Sequence, residues 1–373
     1  MIVIKSFQFR LKPTKKQAKA LQEQLDECRW LYNELLAQRK LAYEELDLTL
    51  SKYDQSMFLP LLKEERHSLA QVHSQVLQNV VDRLDKAFEG FFRRCKVGET
   101  PGFPRFRGVD RYKSFCYPQS GFSLFGNELK LSKVGSVRVK MHRPIAGRIK
   151  TCTIRKNASG EWNVSLSCEV EIEPLQAKQE SIGIDVGLQN FATFSDGREI
   201  KNPRFFKQGE KRLAKAQRKL GKLEKGTTER RKQKKVVAKI HEKIANQRKD
   251  FCHKESRKII EEYQYICVED LSVKKMMQEG PFAKSIADVS WSQFLQFLSY
   301  KAVEAGRRLG LVNPAHTTQD CSRCGYREEK KLSDRVHHCT NCGYMATRDC
   351  NAAQNILALG LDGLGLIPRS LRL

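Results

Sequence analysis

The chain has 373 residues, with 68 Lys and Arg against 43 Asp and Glu, and its formal net charge is +25 at pH 7. This charge indicates a polyanionic partner, and nucleic acid is favoured over a membrane surface because the cations are spread along the chain. No stretch has the roughly 18 consecutive apolar residues of a spanning helix, and the first residues lack the pattern of a signal peptide. We therefore expect no membrane partner and a cytoplasmic protein that associates with the nucleoid when it acts.

The first half of the sequence predicts a β-barrel that is interrupted by helices. Residues 2–11 alternate as a strand, and Thr14-x-x-Gln17 is a capping box that opens a helix. Helical spacing of apolar residues, with stretches at about 54–66 and 72–94, predicts a small helical domain over 13–97. After the Gly- and Pro-rich segment 98–107, short strands follow, with a hairpin turn at 157–162. The predicted barrel thus consists of strand 1–12 and residues 98–175.

The second half predicts an α/β core over 181–315. It begins with a strand that ends at Asp185 and a hairpin partner, and a later strand ends at Glu269. Residues 201–260 contain 22 Lys and Arg against 6 Asp and Glu, yet they keep an apolar stripe, which predicts a long basic helix pair. An amphipathic helix begins near Trp291, a cysteine module occupies 316–345, and a final helix and tail occupy 346–373.

Four cysteines form two C-x-x-C pairs separated by 14 residues: Cys321, Cys324, Cys339 and Cys342. Four thiolates at this spacing are typical of a tetrahedral structural zinc site. A module of this size cannot bury its own core, so metal binding would supply most of its folding free energy. The sequence therefore predicts one structural Zn²⁺.

Three acidic residues occupy segments of distinctive shape. Asp185 and Glu269 each end an apolar strand, and Asp349 precedes the final helix. Buried carboxylates are costly unless a cation or hydrogen-bond donors meet them. Two acids at the ends of neighbouring strands, with a third from the final helix, are what a ribonuclease H-like core offers. Such a set predicts two Mg²⁺ ions and phosphodiester hydrolysis.

Aromatic residues lie among the cations in two short segments, 103–107 and 204–206. The high density of cations in 201–260 favours contacts with phosphates, which position a nucleic acid without reading its sequence. The aromatic rings either stack on bases or anchor helices to a sheet. The sequence leaves both roles open.

The chain resembles the TnpB family of insertion-sequence proteins over nearly its whole length. The resemblance is carried by FRLKPTKKQ, GFPRFR, GIDVGLQNFAT, VEDL, the CSRCG and CTNCG pairs and RDCNAAQNIL. It implies a RuvC/ribonuclease H-like core with an inserted zinc ribbon. It further implies that the N-terminal barrel is an OB-like wedge domain and that the helical insertion is a recognition domain.

The resemblance also assigns roles to individual residues. It places the catalytic, magnesium-binding triad at Asp185, Glu269 and Asp349, and the zinc ligands at the four cysteines. Many relatives have Asp-Arg-Asp before the NAA motif, and here Thr347 replaces the first aspartate. The nucleic-acid contacts that we expect are Tyr53 and Gln78 as readers of a DNA motif, Arg105 and Arg107 in the GFPRFR segment, and Arg335 near the scissile strand.

The function that the resemblance implies is RNA-guided cleavage of double-stranded DNA. A monomer would bind an omega-type guide RNA derived from the transposon end, and a short DNA motif beside the target would license cutting by the single RuvC-like site. Three alternatives stay open: a compact type V CRISPR-like effector with an array-derived guide, a guided DNA-binding repressor that does not cut, and a strand-transferring transposase.

Overall fold

The computed structural model of the chain describes residues 1–280, 282–331 and 333–366, so the predicted tail beyond residue 366 lies outside the described residues. The chain divides into two compact units, Met1–Glu171 and Ile172–Leu373. None of the helices in the described part of the chain has the length and apolar character that crossing a membrane requires.

The first unit contains the predicted helical region. Thr14 and Gln17 form the expected capping box at the start of the first helix. The stretch predicted at 54–66 forms two short helices, because Ser51 caps the first and Pro60 stands in the opening turn of the second. The helices are α1 (Lys15–Leu46), α2 (Lys52–Met57), α3 (Leu59–Glu65), a 3-10 helix (His67–Gln71) and α4 (Ser74–Lys96).

Seven strands of the first unit form one antiparallel sheet in the order β2-β6-β7-β1-β5-β4-β3. The first strand lies in the middle of this sheet, where it pairs with β7 from Ile2 opposite Glu171 to Arg10 opposite Asn163. Sequence reasoning missed β2, which is only four residues long. Hydrogen bonds among the described residues do not join β2 to β3, so closure into a barrel stays a prediction. The strands are β1 (Ile2–Lys12), β2 (Ser114–Tyr117), β3 (Phe122–Phe125), β4 (Glu128–Leu131), β5 (Gly135–Lys140), β6 (Arg148–Lys156) and β7 (Trp162–Glu171).

The second unit is built on a five-stranded sheet in the order β10-β9-β8-β11-β12. The hairpin strands β8, β9 and β10 are antiparallel, whereas β8, β11 and β12 run parallel. A parallel pair needs a crossover connection, and the basic helices α5 (Phe205–Gly221) and α6 (Thr228–Glu262) provide it between β8 and β11. The strands are β8 (Ser181–Asp185), β9 (Asn190–Phe194), β10 (Glu199–Lys201), β11 (Tyr265–Glu269) and β12 (Arg308–Val312).

Helices cover both faces of this second sheet. Ile182, Ile184, Ile266 and Val268 pack into the core cluster that includes residues of α6 and α9. Residues of the opposite parity face the final helix, α10, since Cys267 packs with Ile356. The helices are α5 (Phe205–Gly221), α6 (Thr228–Glu262), α7 (Val273–Glu279), α8 (Ala283–Val289), α9 (Trp291–Ala305) and α10 (Arg348–Gly363).

The final helix approaches the sheet closely at Gly183. A Cβ atom at this position would lie 2.7 Å from the Leu357 backbone nitrogen and still closer to the Ala353 carbonyl oxygen. Both are backbone atoms, which cannot swing aside as a flexible side chain can. Glycine is therefore required in β8 for α10 to reach its place on the sheet.

We expect Gly183→Ala to destabilise the protein by about 3 kcal/mol, because α10 must move away from β8. Thermal denaturation should show a fall in Tm of about 6–12 °C. Gly221→Ala at the end of α5 is the matched control, since a Cβ there meets nothing within 4 Å. An unchanged Tm in Gly183→Ala would contradict the close approach.

Candidate metal centres

Asp185 and Glu269 end neighbouring parallel strands. Val268 of β11 lies opposite Ile184 of β8. Glu269 and Asp185 are the next residues of these two strands, so they lie side by side. Side chains alternate between the faces of a strand, and Gly183 and Cys267, two residues earlier, face α10. The carboxylates of Asp185 and Glu269 therefore share the face that α10 covers.

Asp349 is the second residue of α10. The hydroxyl of Thr347 caps this helix by accepting a hydrogen bond from the Cys350 backbone N–H at 3.2 Å. Threonine and aspartate are both good N-caps, so the aspartate that many relatives have at this position is replaced without loss of the cap. An acidic residue in the first turn also interacts favourably with the helix dipole.

The three acids interact electrostatically. Burial, together with the negative charges of Glu269 and Asp349, raises the pKa of Asp185 to about 8, and the positive charge of Arg348 opposes part of this rise. Asp185 thus responds to the charges of both other acids, which lie on different elements. A cluster of carboxylates that raises the pKa of one member in this way has the electrostatics of a cation site.

Two residues that sequence reasoning missed contact the acids. Arg348, the first residue of α10, places its Nε 3.3 Å from Asp349 Oδ1. Thr317 donates its hydroxyl proton to Glu269 Oε1 at 2.6 Å. Burial raises the pKa of Glu269 above its usual value, and this hydrogen bond opposes the rise. The RDC motif already contained Arg348, but nothing near Thr317 in the sequence indicated a contact with an acid that is 48 residues away.

The four cysteines converge as the spacing predicts. Their four Sγ atoms all lie within 4.8 Å of one another. Among the described residues, no other group of three or more His, Cys, Asp or Glu side chains meets this limit. The Sγ atoms of Cys321 and Cys342 are 3.7 Å apart, and those of Cys324 and Cys339 are 3.5 Å apart. Tetrahedral zinc with Zn–S bonds of about 2.3 Å requires Sγ–Sγ distances of about 3.8 Å, so the thiols fit this ion. The three carboxylates converge less tightly.

Each C-x-x-C pair is followed by a glycine and a tyrosine that close a tight turn. Gly325 and Gly343 have φ of 73° and 70°, which is the left-handed region where glycine is favoured. Their backbone N–H groups donate to the carbonyls of Cys321 and Cys339, each at 2.9 Å. The two halves of the module therefore repeat one turn, and the strands β13 (Val336–His338) and β14 (Met345–Thr347) pair in its second half.

Amide side chains of α10 hold the cysteine module to the final helix. The buried Asn351 accepts from the Ser322 backbone N–H at 3.0 Å and donates to the Asp320 carbonyl at 2.8 Å. Gln354 accepts hydrogen bonds from the hydroxyls of Ser322 and Tyr344. The NAAQN segment thus connects the thiol site to the helix that carries Asp349.

The side chains that we predict to contact nucleic acid are all exposed: Tyr53, Gln78, Arg105, Arg107 and Arg335. Tyr53 is the clearest case, with 72% of its surface accessible. The guanidinium of Arg107 lies over the Tyr32 ring, 5.5 Å from its centroid. Exposure is compatible with contacts to nucleic acid, and the roles stay predictions.

The aromatic rings in the two cation-rich segments have different surroundings. Phe103 packs edge-on against Phe88 and Phe91, with centroids 5.5 Å apart in both pairs, so it anchors its loop to α4. Phe205 and Phe206 pack against the small core between α5 and α6. Anchoring is therefore observed for these three rings, while Phe106 remains exposed.

A groove with a basic rim lies between α5 and α6. Its apolar residues are Phe205, Val236, Ile240 and Ile244, and its cations are Arg212, Lys239 and Lys243. Rows of cations beside an apolar floor are suited to a polyanion that also offers apolar sugar or base surface. The basic segment is thus a structured surface.

These features define an α/β protein with a ribonuclease H-like core and an inserted cysteine ribbon. Comparison with known families agrees with this class. Family models described as "Probable transposase" (IS605 OrfB), "Cas12f1-like, TNB domain" and "Helix-turn-helix domain" match residues 165–279, 291–356 and 1–47. Residues 1–47 here consist of β1 and the long helix α1.

Two relatives match over almost the whole chain. A protein of Streptomyces pristinaespiralis named "Putative RNA-guided DNA endonuclease" is 32% identical, over 96% of this chain and 90% of the relative. "Putative RNA-guided DNA endonuclease InsQ" of Escherichia coli K12 is 30% identical, over 96% and 92%. The solved structure "mini-RNA-guided endonuclease CRISPR-Cas_phi3" is 10% identical with a TM-score of 0.51, over 96% and 92%, and shows a shared fold. The chain belongs to the TnpB (IS605 OrfB) family, and the predicted resemblance is confirmed.

Proposed function

We propose that this chain is an RNA-guided, metal-dependent endonuclease that cuts double-stranded DNA. The observation that carries the proposal is the convergence of Asp185, Glu269 and Asp349 on the α10 face of the second sheet. The proposal is supported by the two relatives, of which this chain covers 90% and 92% and which are named as putative RNA-guided DNA endonucleases.

In this proposal Asp185, Glu269 and Asp349 hold two Mg²⁺ ions. Three partly buried carboxylates of like charge are the oxygen donors that this hard cation prefers. When bound, the ions would supply an activated water and stabilise the leaving oxygen of the phosphodiester. Asp185 interacts electrostatically with both Glu269 and Asp349, so it is the member of the set that is best placed to coordinate both ions. Arg348 balances part of the negative charge beside Asp349.

The four cysteines would hold one structural Zn²⁺. Their Sγ distances fit tetrahedral coordination, and a site that four thiolates fill has no open position for substrate. The hydrogen bonds between the Asn351 side chain of α10 and the ribbon would then make the zinc module part of the support for Asp349. The four cysteines and their zinc would therefore affect cleavage by holding the ribbon against α10, and they would take no part in the chemical step.

The nucleic-acid partners are a guide RNA and the target DNA. An omega-type RNA from the transposon end would supply sequence specificity by pairing, and a short adjacent motif would license melting. The groove between α5 and α6 contacts phosphates, Tyr53 and Gln78 read the motif, and Arg335 seats the scissile strand. A monomer bound to RNA is sufficient for these roles.

The alternative functions have less support. A CRISPR-associated Cas12f1 endodeoxyribonuclease of Sulfoacidibacillus thermotolerans is 27% identical, but over only 61% of this chain and 58% of the relative. A guided repressor that does not cut would not need the three acids, and all three are present and clustered. The transposon-associated nuclease is therefore the function that we put forward.

The proposal is tested by purifying the full chain, sequencing the RNA that copurifies, and adding a plasmid library with a matched target and randomised flanking bases. We expect a defined RNA ending in a variable segment, and Mg²⁺-dependent linear products enriched for one flanking motif. Bulk cellular RNA, or binding without cleavage in Mg²⁺, would refute the proposal. Joined rather than cleaved products would indicate a transposase.

A further inference from the structure

The carboxylate of Glu269 accepts a hydrogen bond from a residue that lies outside the motifs on which the resemblance rests. Glu269 is 7% exposed, and Thr317, which is 2% exposed, places its hydroxyl oxygen 2.6 Å from Oε1. The Pro314 carbonyl is a second neighbour of the same hydroxyl, at 3.2 Å. A threonine hydroxyl can donate only one proton. The Glu269 carboxylate is closer than the Pro314 carbonyl and is the stronger acceptor, so it receives this proton. This bond occupies one lone pair of Oε1, and Oε2 stays available as a ligand.

The backbone of Thr317 is in turn held by α10. Asn355 Nδ2 donates to the carbonyls of both Thr317 and Asp320, at 2.8 and 2.7 Å. Thr317 therefore contacts Glu269 of β11 through its side chain and α10 through its main chain. Since α10 also carries Asp349, one residue connects two acids that the chain places on separate elements.

We propose that Thr317 is a positioning residue that fixes the orientation of the Glu269 carboxylate for divalent-cation binding. The inference rests on the proposed function and deepens it. Without the hydroxyl, the buried carboxylate is no longer held in one orientation, and its hold on a cation weakens. Neighbours that orient metal ligands typically contribute about 10–100-fold to metal affinity.

The test compares three variants of the full chain bound to its guide RNA. Thr317→Val keeps the volume and removes the hydroxyl, Thr317→Ser keeps the hydroxyl, and Thr318→Val makes the same chemical change one residue further on. We expect Thr317→Val to raise the Mg²⁺ concentration for half-maximal cleavage about 10-fold, with recovery of the rate at high Mg²⁺. Thr317→Ser and Thr318→Val should stay within about twofold of the wild type.

A second readout does not depend on cleavage. Mg²⁺ should raise the Tm of the RNA-free wild-type chain, and this rise should need more Mg²⁺ in Thr317→Val and be smallest in Asp185→Asn. The positioning role is wrong if Thr317→Val requires the same Mg²⁺ concentration as the wild type. It is also wrong if this variant has a lower metal-free Tm and loses activity equally at every Mg²⁺ concentration.

A second variant is used if Thr317→Val does not fold. Asn355→Asp removes the donor to the Thr317 carbonyl at similar volume, and it should raise the Mg²⁺ requirement in the same way. An unchanged requirement overturns the proposal. Failure of the wild type to cut would refute the proposed function, whereas the Tm titration still decides the role of Thr317.

Discussion

Asp185→Asn is expected to abolish DNA cleavage and at the same time to raise the Tm of the metal-free protein. An amide cannot replace a carboxylate that holds a divalent cation, and the several kcal/mol that such a cation contributes correspond to a loss of about 10³-fold or more. The gain in stability has a different origin. The folded protein raises the pKa of Asp185 from 3.8 to about 8 by burial and by repulsion from Glu269 and Asp349.

The pH dependence of this gain follows from the direction of the shift. Below about pH 4 the carboxyl is neutral in both the folded and the unfolded chain, so the substitution changes little. Between pH 4 and 8 the unfolded chain ionises while the folded chain holds the proton, so the wild type becomes progressively less stable than the variant. Above pH 8 the difference is constant. We expect a clear gain in Tm at pH 8 without divalent cations, and none at pH 4.

Asp196→Asn is the matched control. Asp196 is paired with Arg198 at 2.8 Å, and hydrogen bonds from Arg198 help to hold its pKa below the usual range against the effect of burial. Its replacement should leave cleavage unchanged and lower the Tm slightly at neutral pH, which is the opposite sign. Retained plasmid cleavage in Asp185→Asn, measured with guide RNA and saturating Mg²⁺, would show that the acid site is wrongly assigned.

Loss of zinc is expected to have the second large effect. Cys321→Ser removes a buried thiol from the four-cysteine site, and structural zinc sites of this kind contribute about 10–16 kcal/mol of binding free energy that is also folding free energy. The ribbon should unfold, and Asn351, Gln354 and Asn355 would lose their partners. We expect the zinc content to fall from one equivalent to nearly none. Cleavage should fall about 100-fold, because Asp349 loses the support of the ribbon and Thr317 no longer orients Glu269.

The exposed Cys95 provides the control, because it lies in the first unit and outside the four-thiol cluster. Cys95→Ser should retain one zinc per chain, as measured by atomic emission, together with wild-type cleavage. A Cys321→Ser protein that still binds one zinc, or that cuts DNA at the wild-type rate without it, would contradict the link between the ribbon and the acid site.

The parts of this protein that could be predicted are those in which interacting residues are close in the sequence. The capping box of Thr14 and Gln17, the two C-x-x-C turns with their glycines, and the basic helices α5 and α6 all depend on neighbours within a few residues. An apolar strand that ends in an acid likewise indicates a buried charge, because desolvation must be compensated wherever that strand lies. The positions of Asp185 and Glu269 followed from this rule.

Other features depend on which elements meet in the folded chain, and no local pattern contains that information. Nothing in the local sequence distinguishes Thr317, whose hydroxyl lies 2.6 Å from Glu269 of β11 in the folded chain. Gly183 is likewise one of 23 glycines, and only the position of α10 makes it necessary. The pKa of Asp185 likewise depends on charges 84 and 164 residues further along the chain. Carboxylates and thiols can be recognised from their chemistry and spacing, but the neighbours that orient them are chosen by close packing, which is settled only when the helices cover the sheet.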